Sequence, residues 1–374
     1  MPVRVLLTGV TGALGRALLP ELLGRGFEVY CLIRSQKGLG AQARLAELTD
    51  HPKAFALAGD ITEPLCGVDA SSLPAIDKLV HAAADTSLNQ GNEARVIDSN
   101  LKGTQHTLDL AAALGFPEFH YIGTAYIAGD APLLIEHTAD EPLIVGSARN
   151  PYEASKVKAE SMARRYRGRF SVQRPSIVVG RSDDGAAPNL DGIYAFFRNI
   201  SRLRDSFRQG NYRDEKGVRI TRGYSLQLPI GIKDSEDVAL NLIQLDWISR
   251  TEAALIALPA HGRTYNLVHP QSLHLRELIR ATIQALDLNH VTIVEDTGGF
   301  TLSPIKLAIR RMIKREMEHL RPYLIHSPEF VSRNLYEDLG LGWPRPPAIT
   351  PKFIRMTMEA ADRSWREPQR VAAQ

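Results

Sequence analysis

The order of strand-like and helical segments in residues 1–180 limits the fold of this chain more than any other feature of its sequence. Short apolar runs recur there, and segments with helical periodicity separate them. Strands that alternate with helices predict a parallel sheet with helices on both faces, and nearly unbroken apolar runs are typical of strands buried on both sides. The runs are Val3–Leu7, Phe27–Ile33, Ala54–Gly59, Lys78–Ala84, Glu118–Thr124 and Phe170–Gly180. We therefore predict an α/β fold built on a doubly wound parallel sheet.

The alternation also predicts how the chain divides. The predicted helices cover Ala13–Leu23, Asn92–Leu114 and a segment that begins at Asn150 and Pro151. After Gly180 the alternation stops, although Thr264–Pro270 has the pattern of a late strand. We predict a sheet domain over residues 1–180 and a smaller, partly helical cap over residues 181–367, with some segments of the cap returning to the sheet. Residues 368–374 are expected to form a frayed tail.

Composition and charge exclude several classes of protein. The 374 residues carry a formal net charge of +3, which is small for this length and argues against a dedicated nucleic-acid partner. Two cysteines, Cys31 and Cys66, are too few for a disulfide framework and favour a reducing compartment. The N-terminal MPVRVLLTG leads directly into a strand and a turn, unlike a signal peptide, and no apolar stretch reaches the roughly 20 residues of a membrane span. We therefore expect a cytoplasmic protein.

The segment TGVTGALG, Thr8–Gly15, joins the first predicted strand to the first predicted helix. Its glycine spacing allows a tight turn and a close approach of backbone to a ligand, and the N–H groups of the following helix can face a phosphate. A strand, a glycine turn and a helix in this order predict a Rossmann-type dinucleotide site, with an ordinary strand–helix turn as the alternative. The predicted contacts come from Gly9, Thr11, Gly12, Ala13, Leu14 and Gly15.

Residues that follow the next strands complete the predicted cofactor site. Arg34 follows the second strand, where an NAD site usually has an acidic residue, and its guanidinium suits a 2′-phosphate. We therefore predict NADP, with NAD as a second possibility and a solvated Arg34 as the alternative.

Asp60 and Ile61 follow the third strand, where the carboxylate could contact adenine or could form a turn or helix cap. The fourth strand ends in Ala82, Ala83 and Ala84. Small residues there leave room for a flat cofactor, or simply pack.

The segment RNPYEASKVKAE, Arg149–Glu160, predicts the start of a helix that carries reactive groups. Asn150 suits an N-cap, Pro151 suits the first helical position, and Glu153 stands where a capping box has its carboxylate. Tyr152 and Lys156 are four residues apart and so share one face. Because an ammonium and the positive end of a helix both favour a phenolate, we predict a proton donor whose pKa falls towards neutrality. A surface helix with an ordinary tyrosine is the alternative.

A set of motifs along the first half of the chain carries a family resemblance. They are TGVTGALG, GDI, HAAAD, NLKGTQHTL, YIGTAYIAG, NPYEASKVKAE and RPSIVVG. With these motifs, Val3–Gly180 resembles the extended short-chain dehydrogenase/reductases. VYCLIRS, NPYEASKVKAE and RPSIVVGRSDDG are most similar to the fatty-acyl and thioester reductase branch, also described as male-sterility-like. Ala13 differs from the bulky Phe of many members, which bears on the packing of the glycine loop. The resemblance implies that Pro175 and Ile177 contact the nicotinamide amide.

The same resemblance implies a set of catalytic residues. Tyr152 and Lys156 match the family's catalytic Tyr and Lys, the first as general acid and the second as the group that lowers its pKa and holds the nicotinamide ribose. Thr124 stands where the family has its catalytic Ser or Thr, which hydrogen-bonds the substrate oxygen. Asn100, in NLKGT, matches the structural and catalytic Asn behind the Lys. A strand-end role for Thr124 and a helix-anchoring role for Asn100 are the alternatives.

Two basic segments indicate which substrates and partners the chain could bind. Arg198–Arg222 is rich in Arg and would attract a phosphorylated carrier such as coenzyme A or acyl-carrier protein, although a solvated cap loop explains it equally well. Ile305–Leu320 has an apolar helical stripe flanked by Lys and Arg, a pattern compatible with contact to a membrane surface and more often with packing on a core. No spacing in the sequence predicts a metal site, and both a monomer and a homodimer remain open.

These observations predict an NADP-dependent oxidoreductase that transfers hydride to a carbonyl of a lipid-like or secondary metabolite, as an acyl thioester, aldehyde or ketone. A nucleotide-sugar epimerase or dehydratase is the first alternative, and Arg34 argues against it because such enzymes usually have an acidic residue there. A non-catalytic dinucleotide sensor is the second alternative. The retained Tyr152 and Lys156 argue against a sensor.

Overall fold

A computed structural model of the chain describes residues 2–36, 38–87, 93–115, 118–188, 193–194, 198, 201, 226–229, 238–286, 291–294, 321–324 and 326–371. The chain forms two compact units. The sheet unit comprises Met1–Val178, Ile243–Pro270 and Pro328–Pro347, and the second unit comprises Val179–Leu242, Gln271–Ser327 and Ala348–Gln374. Segments from three parts of the chain therefore build the unit that contains the predicted site.

The described strands and helices follow each other in chain order. The strands are β1 (Arg4–Thr8), β2 (Glu28–Ile33), β3 (Ala54–Ala58), β4 (Lys78–His81), β5 (Glu118–Ile122), β6 (Leu133–Leu134), β7 (Arg169–Pro175), β8 (Ile177–Val179), β9 (Leu226–Pro229), β10 (Ala239–Leu240), β11 (Leu242–Gln244), β12 (Thr264–Leu267), β13 (Leu273–His274), β14 (Val291–Val294) and β15 (Glu329–Phe330). The helices are α1 (Ala13–Gly24), α2 (Ala41–Ala46), α3 (Glu93–Ile97), α4 (Gly103–Ala113), α5 (Pro151–Ala163), α6 (Leu245–Ala257), α7 (Leu275–Ala285), α8 (Asn334–Leu339) and α9 (Pro351–Val371).

The sheet unit contains a seven-stranded sheet in the order β3–β2–β1–β4–β5–β7–β12. Every neighbouring pair in it is parallel. The order reverses at β1, so the chain winds outward first to one side and then to the other, as in a doubly wound Rossmann-type fold. This confirms the predicted fold class. In such sheets ligands bind beyond the carboxyl ends of the strands, near the point where the order reverses.

Two apolar layers hold helices against this sheet. Alternate residues of β1 point to opposite faces: Val5 and Leu7 pack with helix α1, whereas Leu6 packs on the other face. Burial of each such side chain contributes about 1.5–3 kcal/mol. Helix α6 lies on the same side as α1, since Ala253 and Ile256 join the first layer. Helices α4 and α5 contribute to the second layer, so both faces of the sheet are covered.

The structure breaks two elements that the sequence predicts as continuous. The predicted helix Asn92–Leu114 is interrupted by one turn of π-helix, Asp98–Lys102, between α3 and α4. The predicted strand Phe170–Gly180 divides into β7 and β8 at Ser176, because Pro175 has no N–H for a ladder bond. The fourth strand also ends earlier than predicted, at His81, so the three alanines that follow leave the sheet.

The second unit contains the long helix α9, which packs against α7. Residues 368–371, expected in a frayed tail, belong to this helix. Apart from residues 198 and 201, the basic stretch Arg198–Arg222 lies outside the described residues, and so does the predicted helix Ile305–Leu320. Among the helices that the structure describes, none is both long and apolar enough to cross a bilayer.

Candidate functional site

The glycine turn after β1 lies against the end of β4 with no space for side chains. Gly9 has a φ of +78°, and a Cβ added there would lie 2.6 Å from the backbone nitrogen of Ala83. A Cβ on Gly15 would lie 2.2 Å from the Gly9 carbonyl oxygen. Helix α1 begins after Gly12 with no side-chain cap and no acidic residue in its first turn. The turn therefore offers bare backbone and free helix N–H groups, which fits a dinucleotide diphosphate.

The remaining predicted residues of the turn have different surroundings. Thr11 accepts a hydrogen bond from Arg16 Nε through its carbonyl oxygen, at 3.0 Å. The side chain of Leu14 packs into the apolar layer beneath the turn, and Ala13 is half-buried at the start of α1. Thr11 and Ala13 thus remain beside the turn, whereas the Leu14 side chain supports it from below.

A buried polar network fixes the end of β4 beneath the turn. The Thr8 hydroxyl accepts a hydrogen bond from Ala83 N at 3.2 Å and lies 2.8 Å from His81 Nδ1. The other ring nitrogen of His81 lies 3.1 Å from the Thr104 hydroxyl. Burial, assisted by the nearby Lys156, lowers the pKa of His81 to about 3, so the ring is neutral at physiological pH. The half-buried Ala82 and Ala84 flank Ala83, whose backbone N–H is held by Thr8.

Two arginines meet at the end of β2. Arg34 is exposed, and its carbonyl oxygen accepts a hydrogen bond from Arg44 Nη1 of helix α2 at 2.5 Å. The sequence analysis missed Arg44, and the available signal was a basic residue in the helix that follows the second strand. Two guanidinium groups near one strand end suit a phosphate better than one does.

Asp60 and Ile61 form a turn after β3. The Asp60 carboxylate accepts hydrogen bonds from the backbone N–H and the hydroxyl of Thr62, at 3.0 and 2.9 Å. This is the turn role that the sequence analysis gave as the alternative to an adenine contact. Ile61 packs against Gly103, where an added Cβ would lie 2.7 Å from the Ile61 side chain. Its carbonyl oxygen lies 2.9 Å from His106 Nδ1, so the loop is tied to helix α4.

Helix α5 begins as the sequence predicts. The Asn150 side chain accepts a hydrogen bond from Glu153 N at 2.9 Å, and Pro151 occupies the first helical position. The Glu153 carboxylate in turn accepts from Arg149 N at 2.8 Å and pairs with the Arg149 guanidinium. This capping fixes the first turn, which contains Tyr152, at the carboxyl edge of the sheet.

The phenol of Tyr152 lies beside the hydroxyl of Thr124, close enough for that hydroxyl to influence the pKa of the phenol. Thr124 is buried and lies two residues after the end of β5. Its hydroxyl also donates to the Pro175 carbonyl at 3.4 Å and accepts from Tyr126 N at 3.2 Å. The structure therefore brings the predicted acid, the predicted substrate-binding hydroxyl and the end of β7 together. Ile177 lies just beyond, half-buried in β8.

Lys156 is buried one turn after Tyr152. Its ammonium donates to the Ile122 carbonyl at 2.9 Å and lies 4.6 Å from the centre of the Tyr121 ring. Burial lowers the pKa of Lys156 to about 7, and the carboxylate of Glu160 opposes this shift. At neutral pH the group is thus close to its titration midpoint.

The expected lowering of the tyrosine pKa does not occur in this structure. Burial raises the pKa of Tyr152 to about 12; the neighbouring Thr124 hydroxyl opposes this, and the Glu153 carboxylate adds to it. The sequence-based expectation was wrong because it considered the helix and the ammonium but not desolvation of the phenol. A phenol with this pKa retains its proton at neutral pH.

Asn100 connects the end of β4 to helix α5. Its amide oxygen accepts from Asp85 N at 2.7 Å, and its amide nitrogen donates to the Asp85 carbonyl at 3.0 Å and to the Ser155 hydroxyl at 2.9 Å. Ser155 in turn donates to the Tyr152 carbonyl at 2.7 Å. The π-helical turn places Asn100 for this role. Ser155, which the sequence analysis did not single out, is therefore part of the support for Tyr152.

A metal centre is not evident in the described portion of the chain. The described residues contain no group of three or more His, Cys, Asp or Glu side chains that could hold a metal ion. The site is built from hydroxyl, phenol, amine and amide groups. This donor set matches proton transfer and hydrogen bonding.

Comparisons with known proteins agree with this geometry. Residues 7–221, more than half of the chain, match the NAD-binding family described as "Male sterility protein". The "Polyketide synthase-nonribosomal peptide synthetase hybrid himA" of Aspergillus japonicus is 28% identical over 229 residues, which cover 54% of this chain and 5% of that protein. This chain thus corresponds to a small part of that relative.

Two solved structures share the fold. The terminal R domain from the myxalamid PKS-NRPS biosynthetic pathway has a TM-score of 0.72 at 23% identity, over 97% of this chain and 91% of that one. A thiolation-reductase di-domain from an archaeal non-ribosomal peptide synthetase has a TM-score of 0.71 at 16% identity, over 97% and 76% of the two chains. Nucleotide-sugar dehydratases and epimerases are also among the similar proteins and structures.

The matched segment contains the glycine turn, Asn100, Thr124, Tyr152 and Lys156. The sheet order and the grouping of these residues at its carboxyl edge agree with that match. The chain therefore belongs to the male-sterility-like, thioester reductase branch of the extended short-chain dehydrogenase/reductases, a superfamily of NAD(P)-dependent enzymes.

Proposed function

We propose that this protein is an NADPH-dependent reductase of carbonyl groups, with a carrier-bound acyl thioester as its substrate. The observation that carries the proposal is the position of the Tyr152 phenol beside the Thr124 hydroxyl at the carboxyl edge of the sheet. A proton donor and a second hydroxyl at one point are what reduction of a carbonyl oxygen requires. The glycine turn lies at the same edge and fits the dinucleotide.

The residues of this chain have distinct roles in the proposed reaction. A bound reduced nicotinamide supplies the hydride. Tyr152 transfers its proton to the carbonyl oxygen. Because its pKa is high, the phenol is protonated at neutral pH and can act as the donor. Thr124 orients that oxygen by a hydrogen bond. For a thioester, hydride and proton together give an aldehyde and a free thiol. Protonated Lys156 stabilises the developing phenolate, and Asn100 holds helix α5 in place through Ser155.

The preference for NADPH rests on Arg34 and Arg44. Both guanidinium groups belong to the segment after β2, where Arg44 holds the Arg34 backbone. Two cations there favour the doubly charged 2′-phosphate over a ribose hydroxyl. The Arg34→Ala variant should lower the affinity for NADPH about 10-fold or more, because a charge-assisted hydrogen bond contributes about 1.5–3 kcal/mol. The affinity for NADH should change little. Arg25→Ala, which removes an exposed arginine at the far end of α1, is the matched control.

The relatives support a carrier protein as the source of the thioester substrate. The proteins named above are parts of polyketide and nonribosomal peptide synthetases, and one contains a thiolation domain beside its reductase. A carrier presents its acyl group as a thioester on a phosphopantetheine arm. Coenzyme A carries the same arm, so both can be tested.

The deciding experiment is a screen of NADPH oxidation by the purified chain. The panel contains acyl-carrier-protein thioesters, acyl-coenzyme A, the corresponding aldehydes and dTDP-glucose, each with NADPH and with NADH. We expect NADPH oxidation with thioesters and formation of aldehyde or alcohol. Conversion of dTDP-glucose without net NADPH consumption, and no oxidation with any thioester, would replace the proposal by the nucleotide-sugar alternative.

A further inference from the structure

Helix α5 and strand β7 are joined by an ion pair that solvent does not reach. Arg174 Nη2 lies 2.5 Å from Glu160 Oε1, and Arg174 Nε lies 3.2 and 3.1 Å from the two carboxylate oxygens. Both side chains are fully buried. The guanidinium also donates to the Ile135 carbonyl at 3.1 Å and to Asn266 Oδ1 at 3.3 Å, and it lies 3.3 Å from His137 Nδ1. The buried charge is thus fully hydrogen-bonded, which a buried pair needs to persist.

The pair connects the two segments that carry the site. Arg174 directly precedes the proline whose carbonyl accepts the Thr124 hydroxyl. Glu160 follows Lys156 by four residues, and so lies on the same helical face one turn further on. A Cβ added to Gly123, the residue before Thr124, would lie 3.5 Å from Glu160 Oε2. The carboxylate therefore lies beside the backbone that links the Lys156 acceptor to Thr124.

We infer that Glu160 and Arg174 form a positioning pair for the site: they fix helix α5 against the end of β7 and hold a carboxylate one helical turn from the Lys156 ammonium. The inference rests on the proposed function, since it assigns a role to the surroundings of Lys156 in the same reaction. Neither residue touches substrate. Both act through Lys156 and through the register of α5 on the sheet.

The charges around Lys156 single out the Glu160 carboxylate. Among the described residues, the titratable groups near Lys156 are Glu160 on α5, Tyr121 on β5, His81 on β4 and, behind Glu160, Arg174 on β7. Tyr152 precedes Lys156 by about one helical turn. Burial lowers the pKa of His81 to about 3 and raises those of both tyrosines, so all three are neutral near pH 7. Glu160 is the group whose charge raises the pKa of Lys156 against the effect of burial.

The test measures the Lys156 pKa directly in the full chain. NMR titration of the labelled lysine side chains, with Lys156→Met to assign the resonance, needs no turnover. Glu160→Gln alone leaves a buried unpaired guanidinium and is expected to lower the thermal midpoint strongly. The double variant Glu160→Gln/Arg174→Met removes the whole pair and keeps the fold testable. Glu160→Asp is the conservative variant, and Glu21→Gln, which changes a partly exposed carboxylate on helix α1, is the control.

In the double variant, the Lys156 pKa should fall by up to about 1 unit, because Glu160 lies between Lys156 and the Arg174 guanidinium, whose loss acts in the opposite direction. The alkaline limb of kcat/KM should move to lower pH by the same amount. Glu160→Asp should keep both near the wild-type values, and Glu21→Gln should leave both unchanged. An active wild-type protein whose Lys156 pKa and alkaline limb are the same in the double variant would overturn the inference. A wild-type protein with no reductase activity, but with the pKa change in the double variant, would instead overturn the proposed function and leave the pair's effect on Lys156 established.

Discussion

The Tyr152 phenol and the Thr124 hydroxyl come from segments 28 positions apart in the sequence and lie side by side at the carboxyl edge of the sheet. Thr124 is fixed by the end of β7, and Tyr152 by the capped start of α5. Each hydroxyl is therefore held by a different element, and the contact between them depends on both. The proposed chemistry requires this contact to be preserved.

Loss of the phenolic hydroxyl should abolish most of the reductase activity without unfolding the protein. Tyr152→Phe keeps the ring and removes the proton donor, so kcat should fall by about 10²–10⁴-fold, the usual contribution of general acid catalysis. NADPH binding and the thermal midpoint should stay near the wild-type values. Steady-state NADPH oxidation, with Tyr166→Phe three residues after the end of the same helix as control, measures the effect. Retention of near wild-type kcat by Tyr152→Phe would show that another group donates the proton.

The burial of Lys156 should reduce stability in a pH-dependent manner. Its pKa in the folded protein is about 7, below the ordinary value of a lysine, so the unfolded chain binds the extra proton between those two values. The cost of burying the charge is therefore fully present below pH 7 and disappears as the pH rises through the ordinary lysine pKa. Lys156→Met should stabilise the protein more at pH 6 than at pH 10, in urea denaturation at both values. Equal gains at the two pH values would contradict the predicted pKa.

The glycine turn should not tolerate a side chain at its first glycine. Gly9→Ala introduces a Cβ at 2.6 Å from backbone and imposes a left-handed φ on alanine, which alone costs about 1–2 kcal/mol. We expect loss of NADPH binding in calorimetry together with a lower thermal midpoint. Gly24→Ala is the matched control, since no atom lies within 4 Å of a Cβ there. Unchanged NADPH affinity in Gly9→Ala would mean that the turn does not hold the dinucleotide.

Glu252 on helix α6 should be a source of instability. It is fully buried, and neither of its carboxylate oxygens has a hydrogen-bond partner in the described part of the structure. Burial raises its pKa well above the usual range of a glutamate. The unfolded chain loses this proton above pH 4.5 while the folded protein keeps it, so stability is lost as the pH rises.

Replacement of Glu252 by an apolar residue tests whether its carboxyl group makes stability decrease as the pH rises. Glu252→Met should increase the free energy of unfolding by about 1–3 kcal/mol, the cost of an unpaired buried polar group. The gain should be larger at pH 8 than at pH 4, as measured by urea denaturation at both values. Glu21→Met, on the neighbouring helix α1 and partly exposed, is the control and should show no such dependence. A destabilised Glu252→Met would indicate that the carboxyl group has a favourable role in the core.

The sequence predicted the elements near the glycine turn well because local signals determine them. Gly9 must be a glycine for its φ and for the approach of β4, and such a requirement is readable from one residue and its neighbours. The N-cap at Asn150 is equally local, since its partner is three residues away. The parallel direction of the strands follows from the alternation of strands and helices along the chain.

Other features could not be read from the sequence. The turn of π-helix that places Asn100, and the partners of Arg34 and Arg174, depend on contacts between segments that are far apart in the chain. The tyrosine pKa shows the same limit. Its helical position and its lysine neighbour were visible in the sequence, but the extent of its burial was not, and burial has the larger effect.

The sequence by itself determined the parallel sheet, the glycine turn and the capped start of α5, because periodicity, glycine geometry and helix capping act over a few residues. The groups proposed to carry the chemistry were predicted from the family resemblance. Only the tertiary structure decided how those groups are charged and held. Burial and hydrogen bonding from β5, β7 and α5 set the proton affinities of Tyr152 and Lys156. Desolvation depends on everything packed around a group, and that surrounding is assembled from the whole chain.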